Sequence, residues 1–185
     1  MLEGHRKREL FEAMLRPQLP TLIRLARRLA RDVEDADDLV QETCLKAYRA
    51  LHQFQPGSDG KAWLVTILMN TYRDWARKAL KHPRPVDFDD IANFYTQLRL
   101  EESEPREANP ETSAVNADLG RLVRMAIDDL QPEFRMDVLL ADVEGYAYKE
   151  IAEIMGCLIG TVMSRLYRGR QLLQSALRAY IEHES

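Results

Sequence analysis

One stretch near the carboxyl end, residues 148–174, constrains the fold more than any other. Its first half spaces apolar residues three and four positions apart, which predicts one face of a short helix. Those residues are Tyr148, Ile151, Ala152 and Met155. Gly156 follows, and glycine readily adopts the left-handed geometry in which many helices end. A second helix is predicted from about Thr161, with a buried stripe of Val162, Leu166, Gly169 and Leu173. Two short helices around a tight turn are typical of a helix-turn-helix.

The exposed side of the second predicted helix is polar and cationic. It carries Thr161, Ser164, Arg165 and Arg168, with Met163, Tyr167 and Arg170 beside them. From Gly160 to Tyr180 the chain has no acidic residue. The second helix of such a motif enters the major groove, where arginine binds guanine edges and phosphates. The pattern therefore favours duplex DNA as a ligand. The alternative is one amphipathic helix of a bundle, with a basic face that is merely solvated.

Composition excludes several classes of protein. The 185 residues allow one good core or two small ones. No apolar run approaches the length of a membrane span and the first residues lack a hydrophobic signal core, so we expect a cytoplasmic protein without membrane insertion. Cys44 and Cys157 lie far apart and the histidines are scattered, so we predict no disulfide framework, metal site or cofactor.

Charge is distributed unevenly along the chain. Residues 1–80 hold 14 basic and 11 acidic side chains, residues 81–117 hold 4 and 8, and residues 118–185 hold 8 and 11. Basic strips within a protein of net charge −4 indicate directed contact with nucleic acid rather than bulk attraction. The acidic remainder leaves a surface for a basic partner.

Helical periodicity continues through the first 81 residues, with helices predicted at 5–16, from Leu19 onward, at about 35–51 and at 61–81. The last of these has an apolar side of Leu64, Ile67, Leu68, Thr71 and Trp75. Its other side presents Trp63, Thr66, Asn70, Arg73 and Arg77. Aromatic rings among cations suit single-stranded nucleic acid, because bases stack on the rings while the charges follow the backbone. The alternative is that the tryptophans belong to the core, which the stripe favours for Trp75 and leaves open for Trp63.

Residues 82–117 change in character, with four prolines, eight acids and few apolar residues. They predict a flexible acidic linker, which is either a disordered tether or a functional strap. Beyond it, helices are predicted at about 118–130 and from Pro132 to about Val143, ahead of the helix-turn-helix. The sequence thus predicts an all-α protein with two small helical domains, residues 1–81 and 118–185.

Two motifs carry a family resemblance. The stretch CLIGTVMSRLYRGR, preceded by YKEIAEIMG and LQPEFR, resembles region four of the extracytoplasmic-function (group four) sigma factors of bacterial RNA polymerase. DADDLVQETCLKAYRAL and AWLVTILMNTYRDWARK resemble region two of the same family. The resemblance covers nearly the whole chain apart from the linker. Many relatives have proline where this chain has Leu158, so the start of the recognition helix is less rigidly set here.

The resemblance implies a role for three sets of residues. Asp38, Leu39, Val40, Gln41 and Glu42 match the surface that docks on the beta-prime clamp helices of core polymerase. Trp63, Asn70, Arg73, Asp74 and Arg77 match the face that reads the minus-ten element, and the loop at residues 57–61 helps to hold a base turned out of the duplex. Thr161, Met163, Ser164, Arg165, Tyr167 and Arg168 match the recognition helix for the minus-thirty-five element.

The implied function is that of an alternative sigma factor, which binds core polymerase and directs promoter-specific initiation without catalysing a reaction itself. The implied partners are the beta-prime clamp helices and beta flap of the polymerase, promoter DNA and a stress-sensing anti-sigma factor. A stand-alone regulator with the same DNA-binding motif is a competing interpretation, which the DLVQE segment and the aromatic, cationic helix argue against. An enzyme is a weaker alternative, because no nucleophile–base pair, metal cluster or phosphate-binding glycine loop is apparent.

Overall fold

The computed structural model describes residues 2–55, 57–81 and 120–183, and these residues are helical or connect helices, with no strand among them. The first segment contains α1 (Leu2–Leu15), α2 (Leu19–Leu29), α3 (Val33–Ala50), a short 3-10 turn (Leu51–Gln53) and α4 (Gly60–Lys81). The second contains α5 (120–128), α6 (Pro132–Val138), α7 (Tyr148–Met155) and α8 (Ile159–His183). The all-α prediction is confirmed. The predicted linker, 82–117, lies outside the described residues, so the domain limits stay a prediction.

Aspartate side chains fix where α3 and α4 begin. Asp32 precedes α3, and its carboxylate accepts a hydrogen bond of 2.7 Å from the backbone N–H of Asp35. Asp59 precedes α4 and accepts from the N–H groups of Lys61, at 2.8 Å, and Ala62, at 3.2 Å. Each carboxylate satisfies amides that have no partner in the first turn of a helix. α3 therefore starts at Val33, two residues before the predicted start at about residue 35.

The helix predicted from Pro132 to Val143 is interrupted. α6 ends at Val138, and Leu139–Val143 form a π-helical turn. Gly145 follows with a φ of 72°, in the left-handed region that favours glycine. Because the wider turn redirects the chain, Asp142 and Glu144 reach arginines on α8 and α2.

The predicted helix-turn-helix is confirmed as a local structure. Gly156 ends α7 with a φ of 63° and a ψ of 40°. α8 begins at Ile159 because the carbonyl of Leu158 accepts from the N–H groups of Thr161 and Val162, at 2.9 and 3.2 Å. The helix thus forms without the proline that many relatives have at its start. Val162 and Leu166 are buried, as the stripe predicted.

The two segments pack against each other. A continuous cluster of buried side chains extends from α2, α3 and α4 into α6, α7 and α8, and α4 lies directly against α6 and α7. Burial is wider than the predicted stripes, because Leu25, Val65, Met69 and Ile154 are also in the core. Trp63 and Trp75 are partly buried against the cluster.

Gly169 allows α8 to approach α6 closely. A Cβ at this position would lie 3.0 Å from Cγ2 of Val138 and 3.5 Å from Cβ of Phe134. Gly160, on the same helix, has no heavy atom within 4 Å of the equivalent point. A side chain therefore has space at Gly160 but not at Gly169.

We expect Gly169→Leu to lower the free energy of unfolding by about 1 to 3 kcal/mol, because the added atoms overpack the contact between α6 and α8. The same substitution at Gly160 is the matched control and should be neutral or slightly stabilising, since leucine has the higher helix propensity. Urea denaturation measures both variants. Equal losses at the two positions would contradict the close-packing explanation.

Candidate nucleic-acid interface

The minus-ten residues predicted from the sequence lie along α4, spaced at intervals that place them on one side of the helix. Asn70, Asp74 and Arg77 are exposed, whereas Trp63 and Arg73 are half-buried. The ring of Trp63 packs on that of Phe54, with centroids 5.2 Å apart. An aromatic ring held at one end of a polar, cationic face can accept a stacked base.

The side chain of Arg73 does not point freely into solvent. Its Nη1 donates to Oδ1 of Asn70 at 3.0 Å, within the same helix. Its Nη2 donates to the carbonyl oxygen of Met155 at 3.2 Å and lies 3.7 Å from the Met155 sulfur. Met155 is the last residue of α7. The structure thus connects one predicted minus-ten residue directly to the helix-turn-helix.

A shallow cleft beside this face extends it toward α3. Lys46, Asp74, Arg77 and Lys78 line this cleft, which is open to solvent. Nζ of Lys46 lies 3.9 Å from a carboxylate oxygen of Asp74, and Nη2 of Arg77 lies 3.8 Å from the other. Sequence periodicity along α4 does not indicate that Lys46 lies beside this face, because Lys46 belongs to α3.

The predicted recognition surface on α8 is largely accessible. Met163 is 54% exposed and Tyr167 is 65% exposed, and Ser164 and Arg168 are also exposed. The hydroxyl of Ser164 donates to the carbonyl of Thr161 at 2.9 Å, which orients its oxygen along the helix. Hydroxyl, thioether, phenol and guanidinium groups together can contact base edges, thymine methyl groups and phosphates.

Thr161 and Arg165, the other two members of that set, are half-buried, and Arg165 lies beside a buried carboxylate. Asp137 on α6 is fully buried, and its Oδ2 is 3.9 Å from Nη1 of Arg165. Among the described residues, neither carboxylate oxygen of Asp137 has a hydrogen-bond partner. Burial raises the pKa of Asp137 to about 6, and the nearby charge of Glu133 adds to this, whereas the charges of Arg165 and Arg73 act in the opposite direction. No sequence pattern marks Asp137, because its partners belong to other helices.

The predicted docking surface on α3 divides into two parts. Asp38 and Gln41 are exposed, whereas Leu39 is fully buried and Val40 is 9% exposed. Leu39 and Val40 therefore belong to the core, and their side chains do not face a partner in this conformation. Leu45, one turn after Gln41, is 57% exposed and extends the accessible part of this face.

Glu42 has a structural role within the first segment. One carboxylate oxygen accepts from Nε1 of Trp75 at 2.7 Å, and the other lies 2.9 Å from Nζ of Lys46. The hydrogen bond from Lys46 is the main cause of the lowered pKa of Glu42. Glu42 thereby joins α3 to α4 and orients Trp75, whose ring is partly buried as its place in the apolar stripe predicted.

Two other sequence expectations bear on the described part of the chain. No group of histidine, cysteine, aspartate and glutamate side chains in residues 2–55, 57–81 and 120–183 has the arrangement of a metal site. Across the same residues, no helix is both long and apolar enough to cross a bilayer.

Comparison with known proteins identifies the family of this chain. The family model for sigma-70 region 2 matches residues 14–81, and the model for sigma-70 region 4 matches residues 120–173. The ECF RNA polymerase sigma-E factor of Escherichia coli is 35% identical over 149 residues, which are 80% of this chain and 76% of that protein. The chain belongs to the ECF sigma factors of the sigma-70 family. A second relative of this sigma factor is the ECF RNA polymerase sigma factor SigE of Mycolicibacterium smegmatis, 35% identical over 167 residues, which cover 90% of this chain but only 61% of SigE.

Solved structures agree with this assignment. The sigma factor RpoE of Bartonella quintana, in complex with the anti-sigma factor NepR, has a TM-score of 0.64 and 30% identity, covering 91% of this sigma factor and 96% of RpoE. CnrH, solved with the cytosolic domain of CnrY, has a TM-score of 0.62 at 24% identity and covers 93% of this chain and 90% of CnrH. The likeness to CnrH shows the fold alone.

We expect Asp137→Asn to make this sigma factor more stable at pH 7, because it removes a buried charge whose oxygens accept no hydrogen bond in the described structure. The pKa of Asp137 in the folded chain, about 6, lies above its ordinary value of about 3.9. Between pH 4 and pH 6 the folded chain therefore binds more protons than the unfolded chain does. Asp137 therefore contributes increasing stability as the pH falls from 7 through 6 toward 4, by up to about 3 kcal/mol.

Urea denaturation of both proteins at pH 7.5 and pH 5 measures this difference. The free energy of unfolding of the wild type, relative to that of the Asn variant, should increase as the pH falls. Asp129→Asn, at an exposed position, is the control and should change stability by less than about 0.5 kcal/mol. A constant difference between wild type and Asp137→Asn at the two pH values would contradict the titration of Asp137.

Proposed function

We propose that this chain is an alternative sigma factor that binds core RNA polymerase and directs it to specific promoters. The observation that carries the proposal is the presence of two surfaces suited to nucleic acid, on α4 and α8, in segments that match sigma-70 regions 2 and 4 in family order. Binding energy at these surfaces biases the opening of the duplex, and the polymerase makes the RNA. Such a protein works in the cytoplasm, where the polymerase is.

Docking on the beta-prime clamp helices is assigned to the exposed side of α3. Asp38 and Gln41 offer a carboxylate and an amide to arginines of the polymerase. Leu45 adds an apolar contact beside them. Leu39, Val40 and Glu42 support this surface from behind by holding α3 on its neighbours. Region 4 is expected to contact the beta flap.

Reading of the minus-ten element is assigned to α4. Asn70 and Arg77 offer hydrogen-bond donors on its exposed side. Trp63 provides a ring for stacking, and residues 57–61, which comprise the end of the preceding loop and the first two residues of α4, help to hold a base turned out of the duplex. Extrusion of the base is required because its Watson–Crick edge cannot be read while it is paired.

Reading of the minus-thirty-five element is assigned to the first turns of α8. Arg165 and Arg168 supply guanidinium groups, and Met163 and Tyr167 supply apolar surface for thymine methyl groups. Thr161 and Ser164 add hydroxyls at the same end of the helix.

Control by an anti-sigma factor is a further part of the proposal. It is supported by the structural likeness to RpoE of Bartonella quintana, which was solved in complex with the anti-sigma factor NepR. A stress signal that releases such an inhibitor would make the sigma factor available to polymerase.

Co-purification with core polymerase tests the proposed function. A tagged chain should retain the core enzyme through a salt wash, and Asp38→Arg should reduce that retention by reversing a charge in the docking surface. Arg49→Glu, an exposed charge reversal at the other end of α3, is the control. If the chain binds promoter duplexes but never core enzyme, it is a stand-alone regulator.

We expect Arg168→Ala to weaken binding to a duplex that carries the proper upstream element by about 1 to 3 kcal/mol and to blur its sequence preference. Arg178→Ala is the matched control, because this exposed arginine lies ten residues further along the same helix, about 15 Å away. Fluorescence anisotropy measures both variants on specific and random duplexes. An equal loss on random DNA would show that Arg168 contacts phosphate alone.

Asn70→Ala should leave polymerase binding intact and reduce promoter opening, since it removes an exposed amide from the face assigned to the unpaired strand. Permanganate footprinting of unpaired thymines measures the opening directly. Gln174→Ala, which removes an exposed amide from the second segment, is the control. Footprints as strong as those of the wild type would exclude Asn70 from strand capture.

A further inference from the structure

We propose that Asp137 is a positioning residue for the recognition helix, because its buried carboxylate holds the guanidinium group of Arg165 and competes with DNA for it. The proposal rests on the proposed function, since Arg165 belongs to the surface assigned above to the minus-thirty-five element. It adds to that function a residue that lies outside every assigned surface and sets how strongly α8 binds a duplex.

Asp137 is a charged residue in an apolar setting. It lies near the end of α6, between Met136 and Val138, and all three residues are buried. Neither of its carboxylate oxygens has a hydrogen-bond partner among the described residues. A buried carboxylate without hydrogen bonds is strongly unfavourable unless a cation compensates its charge. The ionised form of Asp137 therefore depends on the cations that act on it.

Arg165 is the cation with the larger effect on Asp137, and Arg73 is the other. Nη1 of Arg165 lies 3.9 Å from Oδ2 of Asp137, and the side chain of Arg165 is 26% exposed. This distance exceeds that of a hydrogen bond, so the attraction is mainly between the two charges. The guanidinium can thus move to another anion without breaking a hydrogen bond to Asp137.

The place of Arg165 on α8 gives it access to such an anion. Ser164 and Arg168, its neighbours in the recognition surface, are exposed, and from Gly160 to Tyr180 the chain has no acidic residue. DNA bound along this side of α8 presents phosphates and guanine edges, both of which accept hydrogen bonds from arginine. The guanidinium of Arg165 therefore has two alternative partners, the buried carboxylate of Asp137 and the bound DNA.

Other ionisable groups also face Asp137. Arg73 on α4 attracts its charge, and Glu133, on α6 itself, repels it. Cys157, between α7 and α8, has a pKa that is raised mainly by burial, so its thiol is uncharged at neutral pH. Burial raises the pKa of Asp137 to about 6, and the charge of Arg165 is the main influence that opposes this rise. Withdrawal of Arg165 should therefore raise the pKa of Asp137 further.

DNA binding and protonation of Asp137 are coupled as a result. DNA that draws Arg165 away leaves the carboxylate with less compensating charge, so Asp137 binds a proton more readily in the complex than in the free chain. Linkage is reciprocal, so protonation of Asp137 strengthens DNA binding by the same factor. Because the pKa is higher in the complex, DNA affinity should increase as the pH falls from 7.5 through 6.

Asp137→Asn is the test variant, because it removes the charge and keeps the size of the side chain. It is studied in the wild-type, Arg165→Ala and Arg168→Ala backgrounds, since a double-mutant cycle isolates the coupling between two residues. Arg168 is the matched control, an exposed arginine on the same helix. Asp129→Asn removes an exposed carboxylate from the same segment and controls for net charge.

Fluorescence anisotropy of the full-length chain on a short random-sequence duplex at low salt measures the competition, because a released guanidinium binds phosphate whatever the bases are. At pH 7.5, Asp137→Asn should bind about five- to tenfold more tightly in the wild-type and Arg168→Ala backgrounds. In the Arg165→Ala background it should change the affinity by less than about twofold. Asp129→Asn should match the wild type. At pH 5 the wild type should approach the affinity of Asp137→Asn.

Two results of this measurement would overturn the competition. Equal affinities of wild type and Asp137→Asn at pH 7.5 would show that the carboxylate does not restrain Arg165. A gain that persists in the Arg165→Ala background would show that the carboxylate acts on DNA directly. If the wild type and every variant bind no duplex, α8 is not a DNA-binding helix and the proposal is wrong together with that assignment.

Carbon-13 NMR of the Asp137 carboxyl group measures the restraint without DNA or polymerase. Arg165→Ala should raise the pKa of this group above its wild-type value, whereas Arg168→Ala should leave it unchanged. An unchanged pKa in Arg165→Ala would overturn the contact itself. Failure of the chain to bind core polymerase would instead contradict the proposed function, and this titration would still decide whether Asp137 holds Arg165.

Discussion

The arrangement of the two segments depends on one largely buried guanidinium. Arg135 donates five hydrogen bonds, to the carbonyls of Ile127, Asp128, Leu130 and Leu29 and to the hydroxyl of Tyr72. Several of these acceptors lie at helix carboxyl ends, where carbonyl groups lack intrahelical partners and the helix dipole favours a cation. The side chain of Arg135 is 12% exposed. A single cation thus satisfies the ends of α5 and α2 and contacts α4.

That cation is part of a polar boundary around the apolar core. The pair between Arg24 and Glu144 lies on one side of the boundary, and the contact between Arg73 and Met155 lies on another. Hydrogen bonds to charged groups contribute more than neutral ones, and they impose direction that apolar packing does not. The apolar cluster stabilises the packing of the two segments. These polar contacts fix the orientation of α4 relative to the helix-turn-helix.

One carboxylate at this boundary is an exception to the pairing of buried polar groups. Nη1 of Arg165 lies 3.9 Å from the buried carboxylate of Asp137, and the charge of Arg73 also acts on that carboxylate. Asp137 is an unfavourable group in a core, because burial raises its pKa and neither of its oxygens is hydrogen-bonded within the described structure.

Helix positions and the helix-turn-helix could be predicted from the sequence because both follow local periodicity and turn chemistry. The stripe of Val162 and Leu166 and the left-handed Gly156 are examples. The stripe on α4 was incomplete, because a second layer of helices also buries Val65 and Met69.

The polar contacts could not be predicted, since they join residues that are distant in sequence. Arg24 and Glu144 are 120 positions apart, and Arg73 and Met155 are 82 apart. Of the candidate site, the residues on α4 and α8 can be predicted, because polar and cationic residue types mark the side of each helix opposite its apolar stripe. Leu45, Lys46 and Asp137 were missed, because exposure and burial at those positions are set by packing between helices.

Run-off transcription with purified core polymerase across a promoter library tests the central claim most directly. The account predicts that addition of the chain yields discrete transcripts from a subset of promoters that share two elements at fixed spacing. Core enzyme alone should yield none of these transcripts. Identical transcript patterns with and without the chain would contradict the account.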